Sequence, residues 1–429
     1  MSSSSNIYCV IGAGPSGLTA VKNLRQAGLR CECLERQHDL GGNWHYGSQA
    51  SSVYESTHLI SSKRLTEYTD HPMPDDYPEY PSHVQALEYL GGYARRFDLR
   101  ESIRFGAPVS RVEPAADGWD VTLAAGETRR YAGVIIANGH HWDPQYPSYP
   151  GQWSGDAIHS RDYKTPEILR GRRVLVVGAG NSGCDIAVEA AVNARAVFHS
   201  ARRGYHYLPK FLFGKPIDQC GERLLRLGLP LWLRRTIAEQ MVRVALGKPE
   251  RFGLPRPDHQ LYESHPIVNS QMLYYVGHGK IRVKPEVRLL AGDRVEFVDG
   301  SVEPIDLIVY ATGFRLSFPF IDRERLNWRD GCPRLFLNVF HPREERLFVA
   351  GMIQPDSGAW GLVDLQAQLI ARYLAAIERE PARAARFRRA VAESPDLSGG
   401  IHYVRSPRHV LEVEHFSYRR RLEKLLAAF

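Results

Sequence analysis

Two glycine clusters carry the first chemical information in this chain of 429 residues. They are Gly12-Ala13-Gly14-Pro15-Ser16-Gly17 and Gly178-Ala179-Gly180-Asn181-Ser182-Gly183. Both follow the pattern G-x-G-x-x-G. Alone, such a pattern is weak; placed between a strand and a helix, it marks a dinucleotide site. Ile7 to Ile11 is a short apolar run before the first cluster, and Leu18, Val21 and Leu24 recur at helical spacing behind it. Arg173 to Val177 and Cys184 to Ala190 repeat that context around the second. The first glycine permits a tight turn, the second lets backbone approach a pyrophosphate, and the third lets helix and strand pack closely. The helix N-terminus adds free N–H donors and a favourable dipole for phosphate.

The residues downstream tell the two clusters apart. Glu35 ends the strand Arg30 to Leu34, 18 residues after Gly17, and is followed by Arg36. A carboxylate there accepts from ribose hydroxyls. Arg202 and Arg203 follow the strand Ala196 to Ser200, with Arg202 19 residues after Gly183. Arginine there suits a ribose 2′-phosphate. The first site therefore reads as FAD-like, held by Gly12, Gly14, Pro15, Ser16, Gly17, Glu35 and Arg36. The second reads as NADP-like, held by Gly178, Gly180, Asn181, Ser182, Gly183, Arg202 and Arg203. Two dinucleotides in one chain imply electrons passing from one to the other.

These elements predict an α/β fold of two doubly wound, Rossmann-like dinucleotide-binding domains, the second inserted into the first. Residues 1–164 are expected to form the first part of the FAD domain, 165–295 the NADPH domain, and 296–429 the FAD-domain return with C-terminal helices. Val134 to Ala137 and Leu307 to Ala311 both run into a turn glycine, and both are expected to join the first sheet. Leu362 to about Glu378 predicts a helix. The segment from about 205 to 272 is expected to be a helical insert; its run Leu224 to Leu233 is too short and too charged to span a bilayer.

Composition narrows the class. Hydrophobic residues make up 43% and charged residues 24%, ordinary for a globular protein. The net charge of +7 is mildly basic, but no basic run interleaved with aromatics indicates nucleic acid. The six cysteines form no Cys-x-x-Cys pair, which removes zinc and dithiol redox motifs, and no metal site is expected. Cys31 and Cys33 read as core residues. The serine tail Met1 to Asn6 has no signal-peptide pattern, and no run of about 20 apolar residues occurs, so a cytoplasmic protein without a transmembrane segment is expected.

Five further segments resemble the flavin-containing monooxygenases, the family that includes their Baeyer–Villiger relatives. Trp153-Ser154-Gly155-Asp156-Ala157-Ile158-His159-Ser160-Arg161-Asp162-Tyr163-Lys164 is similar to the family fingerprint F-x-G-x-x-x-H-x-x-x-[FY]-K, and stands between the glycine clusters as that fingerprint does. Gly41-Gly42-Asn43-Trp44 resembles a flavin-contacting G-G-x-W, and Ala311-Thr312-Gly313-Phe314 an A-T-G-[FY] motif. Pro81-Ser82-His83 and Ala137-Asn138-Gly139-His140 are similar to family segments as well. The resemblance runs from about residue 6 to about residue 375. It implies that NADPH reduces FAD, that reduced flavin takes up O2 as a C4a-(hydro)peroxyflavin, and that one oxygen atom passes to a small organic substrate, an amine or a sulfide. It places Gly42, Asn43, Trp44, Thr312 and Gly313 against the flavin. His159, between the two folds, is expected to couple them structurally rather than move a proton.

One position departs from the family. Ile60-Ser61-Ser62-Lys63 aligns with N-x-x-K, and Ile60 replaces an asparagine that touches flavin and nicotinamide in amine- and sulfide-oxidising members. Ser61, Ser62 and Lys63 are the candidate replacements at the flavin edge. Ile60 and the 205–272 segment favour a second reading, Baeyer–Villiger oxygen insertion into a ketone, including one in natural-product biosynthesis. A flavin disulfide reductase lacks its cysteine pair here, and a non-catalytic flavin redox sensor would not turn over oxygen. A homodimer and a carrier-bound substrate are both compatible with the sequence.

Overall fold

Two parallel five-stranded sheets organise the chain, each built around the strand that enters a glycine turn. The computed structural model describes residues 6–391 and 395–429; the serine tail, residues 1–5, lies outside them. In the first sheet the strand order is Leu347–Val349, Gly133–Ile136, Ile7–Ile11, Arg30–Leu34, Ile103–Arg104. In the second it is Ile281–Lys284, Ala196–Ser200, Arg173–Val177, Leu307–Tyr310, Asp156–His159. All pairs in both sheets are parallel. Parallel sheets are covered on both faces, which is why these strands read as unbroken apolar runs. Gly133–Ile136 and Leu307–Tyr310 are buried throughout.

The placement of Leu307–Tyr310 corrects the sequence expectation. It pairs Val174–Val177 in the second sheet, not the first. Leu347–Val349 returns to the first sheet instead, beside Gly133–Ile136. Apolar composition cannot choose between two equally buried sheets. Topology does: in each sheet the glycine strand lies beside a strand that runs on into a second turn glycine. The fingerprint strand Asp156–His159 also belongs to the second sheet, so pairing extends past both expected boundaries, 164/165 and 295/296.

Each unit carries its own antiparallel meander. Val109–Ala115, Gly118–Leu123 and Thr128–Tyr131 form one. Val287–Gly292, Arg294–Phe297 and Val302–Pro304 form the other, extended by Gly151–Trp153. Helices fill the outer faces. Pro15–Gln26, behind the first glycine turn, packs on Trp360–Arg379, the helix expected at Leu362 to Glu378. A buried polar joint locks that pair: Lys22 Nζ lies 2.7 Å from Asp70 and 3.1 Å from Asp364, and Asn23 Nδ2 donates to Asp364 at 2.9 Å. Ser82-His83 from the sequence motifs opens the helix His83–Arg96, where Ser82 and Gln85 form a capping box.

The 205–272 insert is a helix pair, Ile217–Arg226 and Leu231–Leu246, held by short strands at Tyr207–Leu208 and Ile267–Val268. The leucine-rich run Leu224 to Leu233 is not one helix; a turn through Gly228, Leu229 and Pro230 breaks it. Among the described residues no helix is long and apolar enough to cross a membrane. All six cysteines are free thiols, Cys31 and Cys33 included.

Candidate functional site

A cavity of about 1180 Å³ runs between the two glycine turns. From the first unit it is lined by Gly12, Gly14, Pro15, Ser16, Glu35, Arg36, Gly42, Asn43 and Trp44. From the second it is lined by Gly178, Gly180, Asn181, Ser182, Arg202, Arg203, Thr312 and Gly313. Gly17 and Gly183 stand behind the lining and hold the turns shut. A Cβ on Gly17 would sit 1.7 Å from the Gly12 carbonyl oxygen, and one on Gly183 2.0 Å from that of Gly178. Gly12 (φ +104°) and Gly178 (φ +114°) press against the carbonyls of Ala137 and Ala311, at 2.7 and 2.3 Å from a notional Cβ. Only glycine combines that approach with that backbone angle.

Both turns end in helices left open for an anion. The helix Pro15–Gln26 starts after Gly14, and Asn181–Asn193 starts after Gly180. Neither has a side-chain cap or an acid in its first turn. The first-turn N–H groups are therefore unclaimed by any side chain and point to the cavity end of the helix. These residues fit the pyrophosphates of two dinucleotides.

The groups beside the turns differ. Glu35 is buried; it accepts the Ala13 N–H at 2.6 Å and the Gln37 N–H at 2.8 Å. That pins the carboxylate to the first turn and leaves its remaining lone pairs for ribose hydroxyls. Arg36 lies over the Trp142 ring at 4.9 Å. At the second turn Arg203 is already committed, with Nη2 2.6 Å and Nε 3.0 Å from Asp258 Oδ1. Arg202 is exposed and makes no hydrogen bond or ion pair among the described residues. A third cation, which the sequence did not reveal, comes from the C-terminal segment. The Arg408 guanidinium lies 3.7 Å from a notional Cβ on Gly180 and 5.5 Å from the Tyr205 ring centre. No motif marks it; only the fold brings residue 408 to residue 180.

Thr312 and Gly313, expected at the flavin, extend the second-sheet strand and line the cavity from that side. Thr312 Oγ1 donates to the Gln145 carbonyl at 2.5 Å. Of the three flavin-edge candidates, only Ser61 lines the cavity. A helical turn, Lys63–Thr66, begins there and carries the others away. Ser62 is buried, its N–H donated to Asp218 at 2.7 Å. Lys63 Nζ donates to the carbonyls of Pro74, Asp75 and Tyr77, at 3.1, 2.9 and 2.8 Å. Three carbonyls fully occupy an ammonium, so it is a loop brace.

The fingerprint reaches the first unit through Lys164, whereas His159, expected to couple the two folds, bonds within the second. His159 is fully buried; Nε2 donates to the Gly313 carbonyl at 3.0 Å and Nδ1 accepts the Arg161 N–H at 3.1 Å. Burial holds this ring below the usual histidine pKa, so it is neutral, with both nitrogens occupied. Tyr163 donates to Glu189 at 2.6 Å, and Lys164 Nζ to the carbonyls of Ser51 and Val53 at 2.8 and 3.1 Å. Asp185, on the second glycine helix, also faces the cavity. It accepts from Tyr54 at 3.0 Å and Asn269 at 2.6 Å, and burial raises its pKa.

A smaller pocket of about 130 Å³ adjoins the cavity beneath the insert helices. The two share Ile60, Ser61, Tyr205, His265, Pro355 and Ser357. Its other walls are mostly apolar, from Leu208, Leu212, Leu224, Met241, Val242 and Phe416. Ile60 therefore stands where the pocket meets the dinucleotide cavity.

Comparison with known proteins decides the family. Residues 6–426 match the family described as flavin-binding monooxygenase-like. The chain belongs to that family. This monooxygenase is 32% identical to mouse (Mus musculus) flavin-containing monooxygenase 5, across 95% of the chain and 80% of the relative. It is 34% identical to rat (Rattus norvegicus) dimethylaniline monooxygenase [N-oxide-forming] 2, across 87% and 74%. The closed crystal structure of cyclohexanone monooxygenase shares the fold, with a TM-score of 0.70 at 19% identity over 99% and 98% of the two chains. The protein is an enzyme that uses FAD and NADPH, with O2 and a small molecule as the other reactants.

Proposed function

We propose that the monooxygenase oxygenates a soft nucleophile, a sulfide or an amine, in a small substrate that enters through the pocket beneath the insert. For a sulfide the balance is R2S + O2 + NADPH + H⁺ → R2SO + NADP⁺ + H2O. The supporting observation is the arrangement of one cavity between two open glycine helices, with a carboxylate beside one turn and, beside the other, the unpaired Arg202 and the Asp258-bound Arg203. FAD belongs at the first turn, with Gly12, Gly14, Pro15, Ser16 and Gly17 around its pyrophosphate and Glu35 at its ribose. Gly42, Asn43 and Trp44 form the adjoining wall. NADPH belongs at the second, with Gly178, Gly180, Asn181, Ser182 and Gly183 at its pyrophosphate. Arg202 reads the 2′-phosphate, assisted by Arg203.

The bound flavin supplies electron transfer and oxygen activation; the chain's residues bind, orient and exclude water. The rat relative, named for N-oxide formation, supports heteroatom oxygenation. Ile60 supports the second reading, ketone insertion, because it offers no hydrogen bond at the junction. The NADPH unit is proposed to extend from the strand Gly151–Trp153 to Leu307–Tyr310, wider at both ends than 165–295.

Product analysis tests the reading. The purified enzyme is supplied with NADPH, O2 and a panel of thioethers, tertiary amines and ketones. Sulfoxide or N-oxide coupled to NADPH consumption is the expected result. Ester formation with no heteroatom product would establish the second reading, and peroxide release with every substrate would defeat both.

A further inference from the structure

The pocket beneath the insert contains charge that nothing in the protein answers. Arg234, in the first turn of Leu231–Leu246, lines it, and Arg234 Nε is sealed from water without an acceptor. The Nε of Arg235 is sealed in the same way, but its guanidinium pairs with Glu263 at 3.4 Å, while Arg234 pairs with nothing among the described residues. Asp356 lines the same pocket; it accepts the backbone N–H of His415 at 2.9 Å and forms no ion pair among the described residues. Tyr262 lines the same pocket, and burial, with Asp356 next in effect, raises its pKa. Tyr262 itself has φ +77°, a strained backbone angle for a tyrosine, at the pocket wall. Ser357 Oγ, on the boundary with the dinucleotide cavity, is also buried without a partner.

The pocket's other charged groups are satisfied. Asp218 accepts the N–H groups of Ser62 and Gln219, at 2.7 and 2.9 Å. Glu414 caps the helix His415–Ala428 through Phe416 N and Ser417 N. His265 pairs with Glu412 at 3.3 Å. What stays open is one guanidinium, one carboxyl group and one hydroxyl, with Arg234 and Asp356 not paired to each other among the described residues. Burial and the neighbouring Glu414 carboxylate raise the Asp356 pKa to about 7, so a cation placed there would favour its ionised form, while the sealed Nε of Arg234 lacks an acceptor that an anion would supply. Arginine presents a fork suited to a carboxylate, and an aspartate accepts from an ammonium.

We propose that this pocket selects a zwitterionic substrate: an amino acid with an apolar, oxidisable side chain, its carboxylate on Arg234 and its ammonium on Asp356. The inference rests on the oxygenase reading above and names that enzyme's substrate class. The side chain then points past Ser357 and Ile60, the residues shared with the dinucleotide cavity.

Calorimetric titration of the FAD-loaded full chain tests it with three probes. L-methionine carries both charges, its methyl ester only the cation, and 3-(methylthio)propanoate only the anion. Expected is binding of methionine at least about tenfold tighter than either singly charged probe. Arg234→Gln brings methionine to the level of the ester and leaves the ester unchanged. Arg234→Lys, for use if the glutamine variant does not fold, keeps the charge but loses the fork and falls between. Equal binding of acid and ester by the native protein overturns the proposal, as does equal weakening of both by Arg234→Gln, or no binding by any probe. NADPH-dependent O2 uptake is measured on the same preparation without probe. Uptake with no charge discrimination sinks only this inference; no uptake sinks the oxygenase reading itself.

Discussion

The two glycine turns share one scaffold and differ in everything placed above it. Each turn has its first glycine against an alanine carbonyl, Ala137 or Ala311, and its third against the carbonyl of the first. Each opens a helix with no side-chain cap. Above the first turn lie a buried carboxylate, Glu35, and backbone: the Gly42 Cα is 3.6 Å from a notional Cβ on Gly14. Above the second lie arginines: Arg202, Arg203 and, from far along the chain, Arg408. The repeated part is what any dinucleotide requires, and the divergent part is what we propose distinguishes one dinucleotide from the other. Substitution in the scaffold should therefore abolish binding at either turn, while substitution above it should change preference.

The largest effect is expected in the scaffold. Gly17→Ala drives a methyl into a carbonyl that cannot retreat without opening the turn, and Gly183→Ala does the same in the second unit. Gly17→Ala should yield protein purified without flavin, read from its visible absorbance. Gly183→Ala should keep FAD and lose NADP⁺ affinity by more than about 100-fold, roughly 2.7 kcal/mol. A Gly183→Ala variant that also loses flavin would break the comparison, because the turns would then not be independent.

Next is Arg202→Ala, which removes an exposed, unpaired guanidinium. Losing a charge-assisted phosphate contact costs about 1.5–3 kcal/mol. NADP⁺ should bind some 10- to 100-fold more weakly and NAD⁺ unchanged. Arg408→Ala should behave differently, because its guanidinium lies over Gly180, at the pyrophosphate end of the helix rather than beside Arg202. Both NADP⁺ and NAD⁺ should weaken by about the same factor, roughly tenfold, or 1.4 kcal/mol. Loss of NADP⁺ alone would move Arg408 to the 2′-phosphate.

Legibility followed sequence distance. Both turns, their strands and helices, and the placement of Glu35, Arg202 and Arg203 on the cavity wall could be read because each lies within about 20 residues of its glycine turn, the span of one strand–turn–helix unit. Leu307–Tyr310 was readable as a strand but not as a member of the second sheet, since burial on both faces erases the pattern that would say which. Lys63 and Arg408 show the cost at longer range. A lysine beside a motif was captured by three carbonyls of its own loop, whereas an arginine in no motif reached the second turn from more than 200 residues away. Arg234 was invisible for the same reason: its significance is the absence of a partner, which only the packed structure reveals.

The smallest effect separates two adjacent arginines that sequence treats alike. Arg203 is held by Asp258 through two hydrogen bonds, and His259 Nδ1 lies 2.9 Å from the same carboxylate oxygen. To reach a phosphate, Arg203 must give up or share that partner, so much of its attraction is offset by what it leaves. Arg203→Ala should therefore weaken NADP⁺ by less than about threefold, below 1 kcal/mol, against the larger loss at Arg202. Asp258→Asn sharpens the point. It removes the charge that holds Arg203 and leaves only a neutral amide acceptor, so NADP⁺ affinity should rise slightly above that of the native enzyme. In the Asp258→Asn background Arg203→Ala should then cost more than it does alone. If Arg203→Ala instead matches Arg202→Ala, the Asp258 pair opens when NADPH binds, and the second turn reads its phosphate with two arginines rather than one.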